Sequence, residues 1–366
     1  MIIDYQLPAG ARIAPAFTLT VKNKVLEENI SSRIIRLSVK DNSGFEADTL
    51  DLTFDDSDGR LQMPARGTVL HLHLGWSKLA LYDCGYFIVD TVKYSGAPDI
   101  ITVTSRSADF RGSFSTKLSQ SYDDYTLGAI VRIISARNQY PLPVIPADLD
   151  SIKISHIDQT NEADSYFLTR LAQSYGAEVT VKNGAIIFYK ASVGRTASGQ
   201  ALPWRTIERC DGDKYLFSLP DKQAYDGVKV QWHDVKTATT SNVGLKRKAS
   251  QDKETAGASY TAGSGQNILQ LDKIYPDKET AKRAADSVFN QIQNDAATFT
   301  IRLALGRADL SAQTPVNVKG FKDVIDGTRW IIDSAQHEIN TNGFTTTLNL
   351  KLYIADITYQ SSISQL

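Results

Sequence analysis

The chain has 366 residues, 42% of them apolar and 22% charged, and 40 basic against 41 acidic side chains leave a formal net charge of −1. These values exclude wholesale disorder, a fibrous repeat and a global electrostatic grip on nucleic acid, and the length suits two to four domains of roughly 100 to 200 residues each. Cys84 and Cys210 are too few and too far apart for a disulfide framework or a zinc knuckle, no apolar run reaches the ~20 residues needed to cross a bilayer, and the start "MIIDYQLPAGARIAP" lacks a secretory leader's basic and apolar regions.

Residues 17 to 115 read as strands: "FTLTVKNKV", "RIIRLSVKDN", "DTLDLTF", "TVLHLHLGW", "YFIVDTVKY" and "DIITVTSRS". Each is short, rich in β-branched or aromatic residues and closed by Gly, Asp, Asn or Pro, the spacing of a sandwich or barrel. From Tyr122 the period changes. Leu127, Ile130, Val131 and Ile134 fall at i, i+3, i+4 and i+7, which predicts an amphipathic helix that Pro141 and Pro143 prevent from continuing.

A second helix is predicted in "NEADSYFLTRLAQSYG", with Ala163, Phe167, Leu168, Leu171, Ala172 and Tyr175 on one face, Asn161 as N-cap and Gly176 just past the end. "AEVTVK", Asn183-Gly184 and "AIIFYK" then predict a hairpin, because both residues of a type I′ turn need positive φ.

Strands return in "KYLFSL" and "DGVKVQWHDV". The polar tract from about Thr237 to Gln266 has too few apolar residues for a core and is expected to be a loop that a partner orders. "PDKETAKRAADSVFNQIQ" predicts a third helix with Ala281, Ala284, Ala285, Val288, Phe289 and Ile292 as its stripe and Pro276, Asp277 and Glu279 marking its start. Strand periodicity resumes at Thr298.

Two stretches share one order of elements. Residues 66 to 107 and 313 to 352 each run strand, glycine (Gly75 or Gly320), short loop, an aromatic-Ile-Val/Ile-Asp strand (Phe87 to Asp90 or Trp330 to Asp333), turn and a Thr-rich alternating strand. An internal duplication is expected. Three chains that each carry two such copies would offer six similar surfaces around one axis.

Chemistry is sparse. His71 and His73 share a strand face and supply two ligand positions, but the sequence offers no third, and His156, His233 and His337 stand alone. "FDDSDGRLQMPA" fails as a calcium loop, since Phe54 and Ala65 fall where carboxylates are required. No nucleotide-loop or nucleophile-elbow pattern is present in "GASYTAGSG", and the basic cluster "GLKRKAS" has no stacking aromatics beside it. Neither a catalytic residue nor a cofactor is nominated.

The order of motifs resembles the phage late-control protein D family, baseplate hub proteins of contractile tails that are related to the N-terminal half of VgrG spikes. Matching positions are Thr126, Leu127 and Gly128, then Glu162, Asp164, Phe167, Leu168, Arg170, Leu171, Ala172 and Gly176, and near the end Gly320, Phe321, Gly327, Trp330, His337, Gly343 and Phe344. One departure is "SARNQY", where Gln139 stands in place of a glycine.

The resemblance implies a mainly β chain with α+β inserts. Two similar tube-forming β-barrel domains are expected at 1–115 and at 201–240 with 297–366. A helix-and-hairpin insert would occupy 116–200, and a loop-and-helix insert 241–296. It further implies a homotrimer forming a pseudo-hexameric ring between the hexameric tail tube and the trimeric central spike. The tape measure protein and other baseplate proteins would be further partners. Such a ring has no membrane contact and no specific hold on nucleic acid, with DNA passing through its lumen, and it is assembled in the host cytoplasm into a phage tail or tail-like particle. On that view the motif positions are architecture. The rival expectation is a cell-wall hydrolase or carbohydrate-binding β-barrel protein of such a particle. No fused spike or lysozyme is expected after Leu366.

Overall fold

The computed structural model describes residues 14–22, 24–44, 46–107, 113–182, 184–190, 194, 200–219, 225, 227–234, 239–246, 268–275, 278–294, 296–353 and 360–365. Along the first block run β1 (Pro15–Val21), β2 (Lys24–Val25), the short α1 (Glu28–Ser31), β3 (Ile34–Asn42), β4 (Thr49–Asp55), β5 (Val69–Trp76), β6 (Tyr82–Ser95) and β7 (Ile100–Arg106). Alternation selects the inner face. Leu50, Leu52 and Phe54 of β4 meet Ile101 and Val103 of β7 in one core, while the intervening Thr49, Asp51 and Thr53 stay partly exposed.

The insert comprises β8 (Lys117–Thr126), α2 (Leu127–Arg137), α3 (Ala147–Asp150), β9 (Lys153–Ala163), α4 (Asp164–Ser174), β10 (Ala177–Lys182) and β11 (Ala185–Lys190) around its own core. The predicted stripes of α2 and α4 are buried. Asn161 is not the N-cap of α4, however: it sits at φ +46° in the bulge of the β8–β9 ladder, which resumes at Leu118↔Glu162 and Lys117↔Ala163, and it donates its backbone N–H to Ser119 Oγ at 3.0 Å. Ala163 takes the cap position instead. Gly176 follows α4 with φ +68°, and β10 and β11 pair in register up to Lys182↔Ala185; Asn183 lies outside the described residues.

The last block begins with β12 (Arg205–Glu208), β13 (Gly212–Ser218), β14 (Gly227–Asp234), β15 (Thr239–Lys246), β16 (Ile268–Tyr275) and α5 (Lys278–Asn294). After these come β17 (Thr298–Leu303), β18 (Pro315–Lys319), α6 (Asp323–Asp326), β19 (Arg329–Asn340), β20 (Gly343–Leu352) and β21 (Gln360–Gln365). Two features differ from expectation. First, β14 leaves the second β block and joins a four-stranded sheet ordered β16-β14-β15-β21, where Val228 and Val230 are covered by Ala281, Ala284, Ala285 and Phe289 of α5. Second, β15 falls in the polar tract read as loop. It has backbone partners on both sides, β14 and β21, so it needs little apolar side chain of its own. Residues 237, 238 and 247–266 of that tract lie outside the described residues, as do Pro276 and Asp277.

The two β blocks form a single 13-stranded sheet whose two halves repeat each other. The order β3-β4-β7-β6-β5 of the first half recurs as β13-β17-β20-β19-β18, with every neighbour antiparallel. Irregularities recur as well. The β6–β7 ladder slips between Val89 and Thr91, and β19–β20 between Ile332 and Ser334, so Asp90 and Asp333 occupy the same bulge. The β3–β4 slip between Ile34 and Arg36 matches that of β13–β17 between Gly212 and Lys214.

Each bulged carboxylate meets a cation on the next strand, Arg106 to Asp90 at 3.4 Å and Lys351 to Asp333 at 3.3 Å. Before β5 and β18, Gly67 (φ +84°) and Gln313 (φ +67°) donate to the carbonyls of Val89 and Ile332. Bulges are built-in features of a ladder, and their coincidence in two stretches marks a duplicated unit. The sixth strands differ, since β1 runs antiparallel to β5 and β12 parallel to β18.

One strand pair fuses the halves. β19 pairs with β3 from Ser334↔Asn42 to Ile339↔Leu37, while Arg36 grips Glu338 at 3.0 Å and Gln336 donates to Ser38 Oγ at 3.0 Å. Phe344 of β20 is buried in the core of the first half, and Trp76 Nε1 donates to the Gly306 carbonyl at 2.8 Å.

Candidate assembly surface

Applying the repeat to the β3–β19 junction identifies two edges without an equivalent partner. The counterpart of β3 is β13, which ends the sheet and pairs only with β17 among the described strands. The counterpart of residues 334–339 in β19 is the stretch of β6 after Asp90, which among the described strands pairs with β7 alone. Exposure follows the same division. At the fused junction Leu37 and Ser38 are 0% and 4% exposed; their counterparts Tyr215 and Leu216 are 48% and 67% exposed. His337 is 4% exposed, whereas its counterpart Tyr94 is 50% exposed. Large apolar groups on an unpaired strand edge are a template for another chain.

The family-type positions lie elsewhere, inside the units. Thr126 caps α2, its Oγ1 accepting from Ala129 N at 3.1 Å; Leu127 is buried, and a side chain at Gly128 would displace Asp150 from its pair with Arg132. Asp164 is fully buried at the start of α4. It accepts from Arg137 at 2.5 and 3.0 Å, from Asn138 at 2.6 Å and from Gln159 at 2.8 Å, which ties α2, α4 and β9 together. Arg170 of α4 binds Glu162 at 2.7 Å, and Phe167, Leu168, Leu171 and Ala172 fill the core. In the last block Gly320 and Phe321 donate their amides to Asp326 at 2.8 and 3.0 Å, and Gly327 ends α6. Trp330 is buried with Nε1 on the Ile325 carbonyl at 3.1 Å. His337 bridges Thr346 Oγ1 and the Leu310 carbonyl at 2.9 and 3.1 Å, with burial holding its pKa down; Gly343 opens β20 before Phe344.

A cavity of about 300 Å³ lies where the three units meet. Lys182 of β10 reaches Asp41 of β3 and lies 3.3 Å from Asp48, while Asp41 also accepts from Ala312 N at 2.7 Å. Burial, reinforced by the neighbouring Asp41, pushes Asp48 up to about 7. Burial likewise pushes the Cys84 thiol up to about 12, which leaves it a poor nucleophile. This is a polar joint between units, and sequence spacing gave no sign of it because Lys182 lies more than a hundred residues from both Asp41 and Asp48.

The acidic stretch 54–65 is a turn rather than a cation loop. Arg33 clamps Asp58 through two 2.6 Å hydrogen bonds, and that pairing holds the carboxyl down at about 2. His156 sits between Asp123 and Asp158 on the exposed β8–β9 ribbon. His71 and His73 do acquire a neighbour that the sequence did not nominate: Asp83 of β6 lies 2.8 Å from His71 Nε2.

Residues 95–343 match the phage tail baseplate hub (GPD) family. The chain is 41% identical to the probable baseplate hub protein of Escherichia phage 186, over 99% of both chains. Its fold is similar to that of a tail protein from Neisseria meningitidis MC58 (TM-score 0.66, 12% identity, covering 92% of this chain and 96% of that one). It is also similar to an E. coli component of the type VI secretion system (TM-score 0.54, 13% identity, covering 94% and 79%). With the duplicated sheet, the insert between its halves and a match over two thirds of its length, the chain belongs to the phage tail baseplate hub family.

Proposed function

We propose that three copies of this chain close into a ring of six similar β units that joins a hexameric tail tube to a trimeric central spike. The carrying observation is the fused β3–β19 junction together with its two unpaired counterparts. Repeating that junction between chains sets β6 of one copy against β13 of the next, with Lys93 opposite Ser218, Tyr94 opposite Phe217 and Ser95 opposite Leu216. One fused and one intermolecular seam per chain then alternate around the axis, which turns threefold into approximate sixfold symmetry. Both seams would use the same backbone ladder, so a hexameric tube meets six similar rims and a trimeric spike meets three identical chains.

On this reading the insert of residues 116–200, the four-stranded sheet with α5 and the family-type positions are architecture, and the role is not enzymatic. Tube protein, spike and tape measure are the partners. The particle would form in the host cytoplasm, and DNA would cross the lumen without specific binding, in keeping with a chain that carries no excess of basic charge.

The test is a disulfide across the intermolecular seam. Ser95→Cys with Leu216→Cys, in a Cys210→Ser background, is expected to give a covalent trimer on a non-reducing gel when hub, tube and spike proteins are assembled together. Assembled particles that contain only uncrosslinked chains would reject the seam.

A further inference from the structure

We propose that His71, His73 and Asp83 form a binding site for a divalent cation of the zinc class on the first half of the repeat. His71 and His73 project from the same face of β5, with ring centroids 4.4 Å apart. Asp83 comes from β6, where the β5–β6 register shifts between Leu72 and His73 and sets Asp83 opposite His73. The three ligand atoms lie within 4.8 Å of one another. Ligand atoms around tetrahedral zinc stand about 3.3 Å apart, so side-chain rotation alone closes the set. Two imidazoles and a carboxylate are the donor mixture that zinc and its neighbours in the first transition row accept.

Supporting contacts already orient two of the three. Gly85 N donates to Asp83 Oδ1 at 2.8 Å, and the Tyr86 ring stacks on His71 at 4.1 Å with planes 16° apart. Such outer contacts restrict a ligand to the rotamer that coordination needs. The partial exposure of both histidines and the exposure of Asp83 leave a fourth position open to water or a neighbouring molecule.

The repeat supplies an independent comparison. From the pairs Val69↔Ile88 and Pro315↔Ile331, His71 and His73 correspond to Asn317 and Lys319. The second half therefore places a cation where the first has a ligand, and it lacks the histidine pair. Bulges and ladders that build the sheet are common to both halves; this cluster belongs to one. It lies within a single chain, so binding does not depend on ring formation.

The full chain, treated with EDTA and dialysed, is titrated with zinc chloride by calorimetry beside the His73→Asn and Asp83→Asn variants. One zinc per chain is expected, with affinity reduced about tenfold or more in each variant. Circular dichroism and thermal scans in EDTA should match the parent for Asp83→Asn, which alters only an exposed side chain, so this variant keeps the test valid if His73→Asn fails to fold. No zinc-dependent heat in the parent, or affinity in Asp83→Asn within a few-fold of the parent, would overturn the site.

Discussion

Leu216→Asp is the substitution on which the proposed ring is most exposed to refutation. Leu216 is 67% exposed in the single chain, whereas Ser38, its counterpart at the fused junction, is 4% exposed. A seam of the same geometry would bury most of the leucine, and full burial of such a side chain is worth about 1.5 to 3 kcal/mol. Losing it weakens each seam by roughly tenfold to a hundredfold. The loss counts three times in a closed ring, and a buried unpaired carboxylate adds several kcal/mol. The fold of the single chain should change by no more than about 0.5 kcal/mol, because the substitution is at the surface. Native mass spectrometry of the hub mixed with tube and spike proteins reads the trimer fraction, with Tyr166→Asp as an exposed control outside the seam. Leu216→Asp rings that form at the parent's concentration threshold would refute the reasoning.

Asp164→Ala strips the fully buried carboxylate from Arg137, whose side chain keeps a quarter of its exposure. A local loss of about 3 kcal/mol is expected. Hydrogen exchange in α2 and α4 should accelerate accordingly, and the loss should be smaller when Arg137→Ala is added. Gln139 holds φ +59°, where a side chain costs about 1 to 2 kcal/mol. Gln139→Gly should stabilise the insert by about 0.5 to 1 kcal/mol after the greater freedom of glycine in the unfolded chain is subtracted; faster exchange at the end of α2 would contradict this.

Asp48, pushed up to about 7, keeps in the folded chain a proton that the unfolded chain releases near pH 4. Stability from this group therefore declines as pH rises between about 4 and 7. Asp48→Asn should match the parent near pH 4 in thermal melts and exceed it by pH 8. Parallel melting curves across that range would show that Lys182 already compensates the charge.

Much of the architecture was legible in the residues because local periodicity and turn chemistry dictate it. The alternation in β4, the stripes of α2 and α4, the turn ending in Gly184 and the repeated aromatic-Ile-Val/Ile-Asp strand each depend on neighbours a few positions away. They therefore survive any choice of tertiary partner. Where long-range pairing competes with local preference, the sequence misleads: Asn161 looks like a helix cap until the β8–β9 ladder takes it as a bulge residue, and β15 looks like loop until β14 and β21 occupy its two edges.

The family-type positions were readable as a pattern, yet the duties of Asp164 and Arg137 were not, since a buried ion pair depends on where two helices cross. Asp83 escaped notice for the same reason, being brought to His71 only by the register of β6 on β5. By itself the sequence determined that a β unit occurs twice with an α/β module between the copies. Only the tertiary structure decided which edges of those copies pair within the chain and which stay open, because a strand's backbone donors and acceptors are the same in every sequence and distant geometry alone selects their partners.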